Sequence, residues 1–128
     1  MKSISFIFTC YYMDYFEMRL EQCNVLEDLH MAVNKIREMP EEAKIIADFI
    51  DYLVPFVVEK NAPAVQIERL EDMMEAMKQS PLPQSCEELE KRAVLYHVQA
   101  ELETFLMHKK RFVDKLDINV RELYWEKQ

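Results

Sequence analysis

Glycine is absent from the 128 residues, where average usage would place about nine. Without it the chain has no turn that depends on positive φ and no backbone cradle for a phosphate. The phosphate-binding loop, the dinucleotide fingerprint and the nucleophile elbow are thereby excluded. Hairpin-rich β folds, whose tight turns lean on Asn-Gly or Asp-Gly, are disfavoured as well. Cysteine and histidine are also scarce, at three each. Cys10, Cys23 and Cys86 show no C-x-x-C spacing, which suits a reducing compartment and gives a zinc site no frame. A long hydrophobic run is missing too. From Ile4 to Met13 the apolar block "ISFIFTCYYM" is ten residues long before Asp14, whereas a membrane span needs about twenty. It lacks the small-residue cleavage site of a signal peptide.

What is present is helix-forming. Half of the residues are hydrophobic and 31% are charged, a globular composition. Proline supplies the punctuation. Pro40, Pro63, Pro81 and Pro83 separate apolar-periodic segments, which predicts four helical stretches. The first runs to about Met39, and the second opens at Pro40 with Glu41 and Glu42 complementing its dipole. The third follows "NAPAV" with an apolar stripe at Ile67, Leu70, Met74 and Met77. Ser85 and Glu88 form a capping box that starts the fourth. Pro55 falls inside the second apolar run, so that helix either ends near Leu53 or kinks.

The fourth stretch carries a heptad seam. Leu95, Leu102, Lys109, Leu116 and Leu123 recur every seven residues, with Val98, Phe105, Phe112 and Asn119 three residues after the first four. Run continuously from Cys86 to Glu126 it would be about 60 Å long, so it breaks near Asp117, or its far end packs on the first helix or another chain. The expected fold is all-α: one domain over 1–128, an antiparallel bundle of four to five helices with a long, self-associating C-terminal helix. Residues 1–12 read as a loosely packed apolar extension or as the first turns of the first helix, although Ile4, Phe6, Phe8 and Cys10 also alternate as in a strand.

Charge is unevenly spread. Residues 14–90 carry eighteen Asp/Glu against seven Lys/Arg, and residues 101–128 carry six of each. An acidic front disfavours nucleic acid as a partner. The run His108-Lys109-Lys110-Arg111 reads as a solvated helix face. Glu27 and His30 have the Glu-x-x-His spacing of di-iron bundles, but it occurs once, and such a centre uses it twice. No metal or cofactor is therefore expected. Cys86 reads as an inert thiol, its helix-start position offset by Glu87 and Glu88. The methionines, Met31, Met39, Met73, Met74 and Met77 among them, read first as core filling and second as a pliable binding surface.

Two function classes remain. With no complete catalytic constellation, the chain reads as a non-catalytic protein–protein interaction module, a small cytoplasmic regulator, inhibitor or adaptor. It would bind another protein or form a homodimer, with no membrane partner and no evident small-molecule substrate. Its binding residues would be Phe8, Tyr11, Tyr12, Phe105, Phe112, Leu116 and Leu123. The alternative rests on "RAVLYH", in which Arg92 and His97 are separated by four residues. This resembles the Arg-x(4–6)-His motif of the HEPN superfamily of small helical domains, many of them RNA-cleaving toxins. The resemblance implies an RNase in which Arg92 holds phosphate and His97 moves a proton.

Overall fold

Ser3 starts the first helix. Its hydroxyl accepts a hydrogen bond from the Phe6 N–H at 3.1 Å, and no glycine or proline interrupts the following 32 residues of α1 (Ile4–Lys35). The computed structural model of the chain describes residues 3–79 and 81–126, and the side chains of all of these except 37 and 40. Met1, Lys2 and Ser80, parts of the expected N-terminal extension and of the loop before the fourth helix, lie outside them. After α1 come a 3-10 turn (Ile36–Glu38) and α2 (Pro40–Leu53), which ends where Pro55 requires it, in a second 3-10 turn at Val54–Phe56. Next are α3 (Ala64–Met77) and α4 (Cys86–Asp114). A short turn of helix, α5 (Ile118–Val120), runs on into a π-helical turn at Arg121–Trp125.

The start of α4 follows its cap residues. The Ser85 hydroxyl accepts from the Glu88 N–H at 3.1 Å, and the Glu88 carboxylate reaches back to the Gln84 N–H at 2.7 Å. The heptad seam breaks after Asp114, and Asp117 caps α5 by accepting from the Asn119 N–H. No cap or breaker divides residues 4–12 from the rest of α1, in which Ile7 and Tyr11 are buried. Residues that alternate as in a strand are helical here because a lone strand would leave its backbone unpaired, whereas α1 satisfies its own.

The architecture is all-α. Its spine is the antiparallel pair α1 and α4. Tyr11 meets Phe112, Glu21 meets His108, and the Gln22 amide donates to the Phe105 carbonyl at 2.8 Å. The α4 seam from Leu95 through Val98, Leu102, Phe105 and Lys109 to Phe112 is buried, and its partner is α1 of the same chain.

The buried residues divide into two clusters. One is aliphatic and holds α2 and α3 against the spine through Ile46, Phe49, Leu53, Leu70, Val98 and Leu102. Met39, Met73, Met74 and Met77 pack on its edge, while Met31 is exposed. The other lies at the opposite end of the spine and is aromatic. Ile7, Tyr11, Met18, Phe112, Val113 and Val120 form its centre, and Phe8, Tyr12, Tyr15, Tyr124 and Trp125 pack around them.

Candidate functional site

The aromatic end carries both a polar network and a groove. α1 presents Tyr11 and Tyr15 on its α4 face, four residues apart and so one above the other. The Tyr11 ring meets Phe112 edge-on at 5.5 Å between centroids. Its hydroxyl donates to Glu59 at 2.7 Å and accepts from the Trp125 indole N–H at 3.1 Å. Burial pushes the Tyr11 hydroxyl above its ordinary range, and the Glu59 carboxylate adds to that against the opposing Trp125 bond. The Tyr12 and Tyr124 hydroxyls share a hydrogen bond of 2.8 Å, the largest cause of an upward shift at Tyr124.

Lys109 is the cation of this network. Only 4% exposed, it donates to the carbonyls of Val58 and Glu59 at 2.6 Å each. It thereby ties α4 to the segment between α2 and α3. Burial lowers its pKa to about 8, with Arg19 adding to the effect and Glu59 opposing it. Burying an ammonium is costly unless its donors are satisfied. The two carbonyls accept from two of its three N–H groups, and the Trp125 ring lies 5.7 Å from the ammonium.

Beside the network, between α1 and the end of α4, opens a groove of about 530 Å³. That lies within the usual range for small-molecule sites. Ile7, Tyr11, Met18, Phe112, Leu116 and Val120 supply its apolar lining. Asp14, Glu17 and Glu21 line it from α1, and His108, Arg111 and Lys115 line it from α4 and the residue that follows. Helix periodicity sets this: 14, 17 and 21 share one face of α1, while 108, 111 and 115 share one face at the other side. The Glu21 carboxylate meets His108 Nδ1 at 2.9 Å. Among the described residues, Asp14, Glu17, Arg111 and Lys115 form no ion pair.

Of the residues proposed from sequence as partner-binding, Phe8, Tyr11, Tyr12, Phe112 and Leu116 converge on this end. Phe105 instead belongs to the aliphatic cluster, and Leu123 stays exposed. The basic run at 108–111 is no single solvated face. His108 binds Glu21, Lys109 is buried, Lys110 pairs with Asp114, and Arg111 lines the groove. Asp14, Glu17 and Lys115 carried no sequence signal of their own, because only the pairing of α1 with α4 sets them around one space.

Arg92 and His97 both lie on α4. Five residues apart, they point roughly 140° from one another around α4, and His97 is exposed with Glu101 at 3.9 Å. Glu27 and His30 are both exposed on α1. Among the described residues no three His, Cys, Asp or Glu side chains are grouped to hold a metal ion.

Residues 6–110 match the family model described as "Putative aromatic acid exporter C-terminal domain". The chain is also 36% identical over 98 residues to the uncharacterized protein YqjA of Bacillus subtilis (strain 168). That alignment takes in 77% of this chain and 30% of the relative, so the chain spans under a third of that protein's length. No solved structure matches.

The family match corrects several expectations drawn from sequence. The protein–protein interaction module, with its regulator, inhibitor and adaptor variants and its homodimer, gives way to a domain of an exporter family. The HEPN-like RNase using Arg92 and His97 gives way with it. Cytoplasmic placement and the exclusion of a membrane partner are overturned as well, since exporters work at membranes. Among the described residues no helix is long and apolar enough to cross a membrane. Hydropathy reports whether a segment spans a bilayer, and not whether it serves a protein that does.

Proposed function

The chain belongs to the aromatic acid exporter C-terminal domain family, and on that premise we propose that it serves a membrane exporter of aromatic acids as a helical part that does not itself span. In this reading the α1–α4 groove receives the aromatic acid. The observation that carries the reading is the family match over residues 6–110. The groove supports it, because the Phe6 ring and the edge of Phe112 suit a flat apolar ligand and Arg111 and Lys115 suit a carboxylate. Arg111 and Lys115 lie just beyond the matched residues 6–110.

Retention of radiolabelled benzoate by loaded host cells tests the exporter role. Cells lacking the gene should retain more label, and returning the intact gene should restore efflux. A gene carrying Arg111→Gln with Lys115→Gln should restore it only in part. Equal efflux with and without the gene, across several aromatic acids, would overturn the reading.

A further inference from the structure

The groove's charges are arranged in two opposed pairs. Glu21 is engaged by His108, and the Asp117 carboxylate is engaged in capping α5. What remains is Asp14 and Glu17, three residues apart on α1, facing a space also lined by Arg111 and Lys115, four residues apart at the end of α4. All four are exposed. A simple aromatic monoanion would satisfy the basic wall and leave its charge in the field of the acidic one. An aromatic amine would do the reverse. A ligand that satisfies both walls carries an ammonium and a carboxylate on one aromatic body.

We propose that the groove is selective for dipolar aromatic molecules, with aromatic amino acids as the ligand class. The ring lies against Phe6, Leu116 and the open edge of Phe112, the carboxylate faces Arg111 and Lys115, and the ammonium faces Asp14 and Glu17. This rests on the reading of the groove as an aromatic-acid site and narrows it. The apolar floor supplies contact common to all aromatic ligands, while the two walls supply the discrimination.

Titration calorimetry on the full chain with L-phenylalanine, benzoate and phenethylamine tests it directly. Phenylalanine should bind about fivefold more tightly than either singly charged probe, the effect of one additional exposed ion pair. Arg111→Gln with Lys115→Gln should reduce phenylalanine to the affinity of phenethylamine. Asp14→Asn with Glu17→Gln should reduce it to that of benzoate. Benzoate binding as tightly as phenylalanine overturns the dipolar assignment and leaves the aromatic-acid reading standing. Binding by none of the three overturns the groove as a site in both readings. The wild-type comparison requires no variant to fold, and thermal melting of the two double variants verifies that each does.

Discussion

The two ends of the α1–α4 spine are built from different materials. The aliphatic end joins four helices around mostly Ile, Leu and Val side chains, with Phe49 and Phe105 among them and Gln99 as a buried polar neighbour. The aromatic end packs rings at centroid distances of 4.9–6.4 Å and threads hydroxyl, indole, carboxylate and ammonium groups between them. Aliphatic packing is non-directional and rewards volume alone. Polar groups in a part-buried setting must be matched one by one, which fixes geometry at some cost in stability. The end that specifies geometry is also the end with the groove.

The largest effect should come from the aliphatic end. Leu102 is 2% exposed, and Leu102→Ala should destabilise the fold by about 2–5 kcal/mol in urea unfolding. A smaller loss there would mean that this end can collapse around a void, and the contrast with the aromatic end would weaken.

The second effect separates the ends by pH. The folded chain releases the Lys109 proton at about 8, against an ordinary value of 10.5. Between these values the unfolded chain holds a proton that the folded one has lost, so Lys109 makes stability rise as pH rises and fall as pH drops through about 8. Its full size is on the order of 3 kcal/mol. Above pH 10 the raised hydroxyls of Tyr11 and Tyr124 act in the opposite sense, because the folded chain then keeps protons that the unfolded one gives up. Urea unfolding from pH 7 to 10 should show the rise in the wild type and lose it in Lys109→Met. A rise of equal slope in the variant would place its origin elsewhere.

The smallest effect is the sharpest probe of geometry. Tyr11→Phe keeps the ring on Phe112 and removes only the hydroxyl between Glu59 and Trp125. It should cost about 1 kcal/mol and shift the Trp125 fluorescence maximum. An unchanged emission spectrum would show that the indole does not depend on that bond for its position.

Much of the architecture was legible in the order of residues. Pro40, Pro55 and the Ser85–Glu88 capping box mark helix ends through local sterics and local hydrogen bonds, which involve only near neighbours in sequence. The α4 seam was legible for the same reason, since its seven-residue recurrence is a property of one helix. What the seam packs against was not legible. A stripe of Leu and Phe is satisfied equally by a second chain or by another helix of the same chain, and here α1 covers it.

The candidate site lies almost wholly on the tertiary side. Phe8, Tyr11 and Tyr12 stood out as an aromatic block, but Asp14, Glu17, Arg111 and Lys115 looked like ordinary surface charges on separate helices. Lys109 stood at a position of the α4 seam and also in a run that read as a solvated face. Sequence by itself determined that the chain is helical, where most of its helices begin and end, and which face of α4 is apolar. These follow from interactions within a few residues, each biasing the backbone where it stands. Tertiary structure alone decided that α1 is the partner of that face, which carbonyls receive the Lys109 ammonium, and that two charged walls more than ninety residues apart in sequence border one groove. Those depend on which surfaces meet, a choice made by the summed burial of both clusters.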